Sequence, residues 1–461
     1  MVDFEERRDE LLEQIEEMTR RKQYAPLRDM LVELEPADIA QLFEDLPEED
    51  LPLLFRLLPK EPAAEVFVEL EPDSQEMLIR GFSNTELKEV IDELYLDDAV
   101  DIVEEMPANV VRRILKHSDP EMRKSINEIL KYPEDSAGAL MTTEFLDLKQ
   151  SLTVGDALKR IRRQGADMET ISVCYVTDER RHLLGIVSIR TLLLSEEDDV
   201  IGEIMDANAV SVNTLDDREE VAQSFSRYDF IALPVTDAEG RLVGIVTVDD
   251  AIDVMEEETT EDFEKMAAML PSEHPYLHLS PLEIWKNRIP WLLLLMVSAT
   301  MTGIVITRFE SALDVLPCLT AFIPMLMDTG GNSGSQACVT IIRGISISEI
   351  EFKDIFRVIW KEIRVAVLCG IVLSVVCFGK VMLVDHLILG NAGVTATVAL
   401  VVSLSLAVTV FAAKLVGSSL PLVAKRIGLD PAVMASPLIT TIVDLLSLLV
   451  YFTLATALLG I

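Results

Sequence analysis

Asp444 is the only charge between residues 436 and 449 (SPLITTIVDLLSLL), about ten residues into an apolar run long enough to cross a bilayer. Ionisable groups at that depth cost roughly 2.5–3.5 kcal/mol on insertion scales and generally line a pathway. A carboxylate there suits a cation, and a symmetric second copy would make an acidic ring. The structural alternative is a protonated carboxyl hydrogen-bonded to Thr440 or Ser447 on the same helix face. A second unusual stretch covers residues 324–337 (PMLMDTGGNSGSQA). Its Gly330, Gly331 and Gly334 permit close helix approach and could free backbone carbonyls, while Asp328, Asn332, Ser333, Ser335 and Gln336 offer oxygen ligands or hydrogen bonds. That composition fits a broken segment lining an aqueous cavity or a small-residue packing motif. Cys174, Cys318, Cys338, Cys369 and Cys377 show no metal-ligand spacing. His117, His182, His274, His278 and His386 form no cluster. With no nucleophile–base pair or phosphate-cradling loop, the sequence reads as no enzyme.

The elements around these residues divide the 461-residue chain in two. The net charge of −38 is unevenly spread. Residues 279–461 hold 12 Lys+Arg against 11 Asp+Glu, whereas residues 1–278 hold 28 against 67. An acidic soluble half is therefore joined to a nearly neutral apolar one, a surface that repels nucleic acid and attracts cations. No cleavable signal peptide opens the chain. Five apolar runs predict membrane spans at about 289–306, 312–342, 363–384, 394–420 and 435–460. The second, interrupted by Pro317, Pro324 and the glycines, is expected to be one distorted span. Arg343, Lys353, Arg357, Lys361 and Arg364 crowd one loop, and Lys425 and Arg426 another. Positive residues favour the cytoplasmic side, which puts the large N-terminal region in the cytosol and the C-terminus outside. Lys414 and Lys380 are expected to snorkel toward the interfaces.

In the acidic half, Pro36, Pro47, Pro59 and Pro72 recur at spacings of 11, 12 and 13, so short proline-started helices should stack as a small solenoid. Residues 138–253 contain a repeat of about 60 residues in which Met141 corresponds to Met205, Gly185 to Gly244, and Ser188 to Thr247. Each copy predicts a helix, two short strands and a helix start. The arrangement resembles a tandem cystathionine-β-synthase-type (CBS) pair, which implies adenine-nucleotide binding such as ATP. The second copy keeps Gly244, Val246, Thr247 and Asp250, the last suited to ribose hydroxyls; the first has Thr191 where the aspartate would stand. Residues 251–270 should continue as a helix up to Pro271, carrying Glu256, Glu257, Glu258, Glu261 and Asp262.

The whole chain resembles the MgtE family of magnesium channels, most specifically in GGNSGSQ and in the intramembrane Asp444. The resemblance implies a multidomain membrane protein. Its parts would be an α-helical solenoid N domain (1–132), an α/β tandem CBS pair (133–198 and 199–253), a long linking helix (254–280) and a five-helix transmembrane domain (281–461). It further implies a homodimer in the lipid of the cell membrane, with the pore on the twofold axis. Asp444 would bind hydrated Mg²⁺, with Thr440 and Asn332 close by and Asp430 at the cytoplasmic mouth; Gly330, Gly331, Gly334 and Gln336 would form the pore motif. Regulatory Mg²⁺ would bind Glu65, Asp97, Asp101, Asp217, Glu219, Asp229, Asp250, Asp253, Glu258, Glu261 and Asp262, with backbone carbonyls near Ala139 and Ser226. Two carboxylates about 5 Å apart repel by roughly 3 kcal/mol at an effective dielectric near 20, so cytosolic Mg²⁺ would close the pore by bridging acidic domains. Competing readings are a carrier for Co²⁺ or Ca²⁺, an Na⁺-coupled exchanger, and a non-transporting receptor with a CBS sensor.

Overall fold

The computed structural model describes residues 2–460 except 273–275, 277 and 278; His274 and His278 thus lie outside the described residues. The chain forms two compact units, Met1–Met255 and Glu256–Ile461.

The first unit begins with Val2–Arg20, followed by nine helices of five to ten residues ending at Pro120–Ile129. Proline sets their spacing. Pro36, Pro72 and Pro120 open helices at the first turn, where a missing N–H costs nothing. Pro59 directly precedes Lys60–Val68. Pro47 departs from the pattern and lies in the turn before Leu51–Phe55, whose own proline is Pro52. No helix this short is stable alone. Leu27, Leu42, Phe43, Leu54, Val66, Phe67 and Val100 join successive helices into one buried core, as a solenoid requires.

The repeat forms two three-stranded sheets, β1 (Phe145–Lys149), β2 (Thr170–Thr177) and β3 (Leu183–Ser188), then β4 (Val212–Asn213), β5 (Ala232–Thr236) and β6 (Leu242–Thr247). In each sheet the first pair is parallel and the second antiparallel. The two copies complete one another. Thr142 of the first pairs with Ile245 of the second, and Asp206 of the second with Ile186 of the first. The corresponding methionines follow that exchange: a methyl at Gly244 would lie 2.6 Å from Met141 Sδ, and one at Gly185 3.2 Å from Met205 Sδ. Glycine at these two positions is what lets the other copy's chain cross the sheet.

Among the described residues of the second unit, four helices are long and apolar enough to cross a membrane: Pro281–Arg308, Phe352–Ile388, Ala396–Arg426 and Ala432–Leu459. We call them the first, third, fourth and fifth membrane helices. The second expected span is the 24-residue helix Ile323–Ser346, entered through a 3₁₀ turn at Pro317–Phe322. It falls outside the four because polar residues interrupt its apolar run. Its glycines do not break it. The helix is continuous through them, and they serve close packing. A methyl at Gly330 would lie 2.6 Å from Thr409 Cγ2 of the fourth helix, and one at Gly334 2.9 Å from Ile439 Cγ2 of the fifth.

Two further expectations are corrected. Lys414 does not snorkel: it is 5% exposed and faces Glu362 at 3.9 Å, because packing between helices gives its charge a partner away from the interface. Lys380, in contrast, stays exposed and pairs with Asp385 at 2.8 Å. The linking helix runs Val248–Met266 and stops before Pro271, where Ala268 turns the backbone left-handed (φ 54°).

Gly244→Val should overpack the crossing of the two repeats. We expect a loss of roughly 1–3 kcal/mol, read as a thermal midpoint several degrees lower for the detergent-solubilised full-length protein.

Candidate ion pathway and carboxylate cluster

The second membrane helix divides its polar and small residues between two faces. Gly330, Gly331, Ser333 and Gly334 are buried against the fourth and fifth helices. A methyl at Gly331 would come within 3.0 Å of Thr440 Cγ2, which fixes Thr440 beside the motif. Asp328, Asn332 and Gln336, spaced by four, point out of the bundle and are exposed, with Ser335 half-buried beside them. Asn332 donates from Nδ2 to Asp328 Oδ1 at 3.2 Å, so the stripe is partly ordered from within. Exposed amide and carboxylate groups on a membrane helix need water or another polar surface, since lipid satisfies neither.

Asp444 lies eight residues into Ser436–Leu459, about 12 Å along the helix at 1.5 Å per residue. It is half-buried, and its Oδ1 is buried without a hydrogen-bond partner. Ser447 does not satisfy it, because that hydroxyl donates to the Val443 carbonyl at 2.6 Å. Asp328 is near enough to act electrostatically on Asp444. Together they make a negative site that wants a cation.

Asp430 precedes the fifth helix. The Ala432 amide donates to its Oδ1 at 2.8 Å, and its Oδ2 lies 2.7 Å from Lys265 Nζ at the end of the linking helix. Glu261 reaches the same ammonium at 2.7 Å. Asp262 accepts a hydrogen bond from Ser346 Oγ at 2.9 Å. The last turns of the linking helix are thus tied to both the second and fifth membrane helices.

A separate carboxylate cluster lies within the first unit. Leu96–Glu105 brings Asp97, Asp98 and Asp101 toward Glu144 and Glu169 of the first repeat and Asp249 and Asp250 at the start of the linking helix. Glu144 Oε2 accepts from the Leu96 amide at 3.3 Å, and Glu144 O accepts from the Glu169 amide at 2.9 Å. Burial first, then repulsion from one another, pushes Asp97, Asp98 and Asp250 up to about 7 and Glu169 up to about 8. Asp101 moves the same way. Glu169 Oε2 is buried with no hydrogen-bond partner. Among the described residues no three acidic, histidine or cysteine side chains are arranged to hold a metal ion. The carboxylates are gathered but not folded into a chelate.

The sequence reading anticipated Asp97, Asp101 and Asp250, which come together here. It missed Asp98 and Asp249, which adjoin them, and Glu144 and Glu169, whose neighbourhood only the exchange between repeats creates. It also passed over Lys265, although this is the single Lys or Arg between Arg241 and Lys286. The other residues lie elsewhere. Glu65 is exposed on Lys60–Val68 and Ala139 is buried in Ala137–Leu140. Asp217 caps Arg218–Tyr228 by accepting from the Glu219 amide at 2.8 Å. Ser226 and Asp229 are toward the far end of that helix, about 14 and 18 Å along it from Asp217, so Asp217 and Asp229 cannot share an ion in one chain. Asp253 is exposed on the linking helix, and Glu258 is half-buried. Thr247 Oγ1 donates to Asp250 Oδ2 at 2.7 Å, while Ser188 and Thr191 hydroxyls meet at 2.9 Å in the first copy.

Residues 323–454 match the family described as MgtE, divalent cation transporter; residues 34–135 match the MgtE intracellular N domain, and 137–197 and 201–257 match CBS domains. The chain is 37% identical to a magnesium transporter MgtE of Thermus thermophilus, covering 94% of this chain and 95% of the relative. It is 33% identical to one of Bacillus subtilis, covering 97% of each. Among solved structures, it is similar to the cytosolic domain of the Mg²⁺ channel MgtE in complex with ATP. That match has TM-score 0.50 and 38% identity, over 52% of this chain and 98% of the other. It is also similar to the soluble part of a magnesium transporter, with TM-score 0.51 and 32% identity, over 54% of this chain and 99% of the other.

The raised carboxyl groups fix the sign of a pH effect. The gathered arrangement binds more protons than a separated one, so its support is full below about pH 4, falls as pH rises from there, and is lost once pH passes 7–8. With a chelator present, amide protection over residues 96–105, after correction for the intrinsic base-catalysed rise of exchange with pH, should be greater at pH 6 than at pH 8.5. Equal protection at the two pH values would count against the cluster.

Proposed function

The chain belongs to the MgtE family of divalent cation transporters, and we propose that it is a homodimeric Mg²⁺ channel whose ion path runs past Asp444. It is a multi-pass membrane protein that transports magnesium and is not an enzyme. The observation that carries the pore assignment is the outward polar stripe of Asp328, Asn332 and Gln336 beside the unsatisfied Asp444 carboxyl. A second copy across a twofold axis supplies the wet polar surface that this stripe needs. Thr440 lies next to the motif, and Asp430 sits at the cytoplasmic mouth, with the first unit in the cytosol and the C-terminus outside.

Mg²⁺ prefers octahedral oxygen coordination and gives up water reluctantly. One Asp444 per subunit can hold the hydrated ion through its waters and still let it leave, which conduction requires. Cytosolic Mg²⁺ closes the path by neutralising acidic groups. The gathered set Asp97, Asp98, Asp101, Glu144, Glu169, Asp249 and Asp250 is one place where it acts. Glu65, Asp217, Glu219, Asp229, Asp253, Glu258, Glu261 and Asp262 are further regulatory ligands, with the backbone near Ala139 and Ser226, some acting between subunits. Because the ions bind the compact arrangement more tightly, they shift the population toward it. The similar cytosolic domain is in complex with ATP, and an adenine nucleotide bound by the CBS pair of this chain would use Thr247 and Asp250.

Two measurements test this reading. Asp444→Ala should lower Mg²⁺ flux into liposomes at least tenfold or abolish divalent selectivity; native-like flux would remove Asp444 from the path. Asp97→Asn with Asp250→Asn relieves the repulsion that Mg²⁺ otherwise screens. Protease protection of the soluble region should then become nearly independent of millimolar Mg²⁺, whereas the native chain should gain protection on its addition.

A further inference from the structure

We propose that Lys265 is a tethered cation that occupies the Asp430 carboxylate at the mouth of the path and holds the linking helix there without a divalent ion. The proposal rests on the reading of Glu256–Ile461 as a Mg²⁺ pore and deepens it by naming a positioning residue within this chain.

Lys265 stands alone in its surroundings. Residues 249–264 carry eight carboxylates besides Glu261 and no basic residue, so its charge is conspicuous in an otherwise anionic helix. Nor is it a loose surface lysine. Its Nζ is 2.7 Å from both Glu261 Oε1 and Asp430 Oδ2, with the side chain 24% exposed. Glu261 is one turn back on the same helix and acts as the anchor; Asp430 belongs to the turn that leads into the fifth membrane helix. The Ala432 amide on the other oxygen of Asp430 fixes that carboxylate's direction. One turn away, the Asp262–Ser346 hydrogen bond makes a second, uncharged tie, and Met266 packs against the cluster of Cys338, Ile342, Ala435 and Ile439. Helix, ammonium and apolar contact therefore arrive together.

The ammonium and a hydrated Mg²⁺ compete for the same oxygen. Lys265 is delivered by its helix at high effective concentration, while the ion must come from solution. At vanishing cytosolic Mg²⁺, Lys265 supplies the residual hold on the mouth. As Mg²⁺ rises, an ion reaching Asp430 must displace Lys265, and the lysine thereby sets how much ion that exchange needs.

The test uses the full-length protein with a chelator on the cytoplasmic side and three chains: native, Lys265→Met and Lys265→Arg. Methionine keeps the length and helix propensity and removes the charge; arginine keeps the charge. Basal Mg²⁺ flux should rise roughly two- to fivefold in Lys265→Met, the scale of losing a partly exposed ion pair, and return to the native value in Lys265→Arg. Amide exchange over residues 256–266 should quicken in the Met chain alone, and this readout tests the hold even if the protein proves not to conduct. Native-like exchange and flux in Lys265→Met would overturn the proposal. So would an Arg chain that behaves like Met, since that would make the role one of shape and not of charge.

Discussion

Carboxylates gathered without enough positive charge to balance them are the constraint on which the molecule depends. A buried or half-buried acid must be protonated, paired or given a mobile cation. All three solutions occur. Asp430 is paired by Lys265; Asp97, Asp98, Asp250 and Glu169 are pushed toward their neutral forms by burial and by one another. On the reading proposed here, Asp444 takes the third course and is completed by its cargo. Only the last of these leaves a group dependent on a cation from solution, which on the proposed reading is the ion the protein carries.

The scaffold makes that conditionality useful. Short helices stacked behind prolines give the N domain a continuous apolar core, so Leu96–Glu105 holds Asp97, Asp98 and Asp101 on a rigid support. The crossing of the two repeats, through the bridges Thr142–Ile245 and Asp206–Ile186, goes with the first copy's Glu144 and Glu169 lying close to the second copy's Asp249 and Asp250. Those two aspartates stand in the first turn of the helix that carries Lys265 and ends at Met266. The other end of the same helix is tied to Asp430 and Ser346. On the reading proposed above, this continuous helix of about five turns is the element through which a change of charge at the carboxylate cluster would reach the path.

Much of this was legible in the sequence, for physical reasons that differ by region. Proline spacing revealed the solenoid because proline acts locally on helix starts, and Pro47 escaped because Pro52 assumed that role. The repeat was legible from Gly185 and Gly244, but not the bridging of each copy's sheet by the other, which depends on contacts some 100 residues apart, such as Thr142 with Ile245. For the same reason Glu144 and Glu169 were hidden: nothing local marks an acid that only tertiary packing surrounds with others. The glycine motif was read as a possible break because glycine weakens an isolated helix. Packing against Thr409, Ile439 and Thr440 decides otherwise. Lys414 was misjudged because snorkelling is the rule for a lone cation, and only the structure shows Glu362 beside it.

The same contrast bears on selectivity. A site that strips Mg²⁺ of water must supply about six oxygens at 2.0–2.1 Å, and such a cage binds too firmly to pass ions quickly. Neither unit contains a preformed group of three candidate ligands among the described residues. Asp444, Asn332 and Gln336 are instead single polar groups spread along two helices, and the soluble carboxylates repel one another too strongly to preform a cage. Sparse, separated oxygens are poor ligands for a bare ion but adequate partners for its water shell, whose six molecules offer hydrogen-bond donors in all directions. On the reading proposed above, the arrangement favours an ion that retains its water, and of Mg²⁺ and Ca²⁺ it is Mg²⁺ that gives its water up reluctantly.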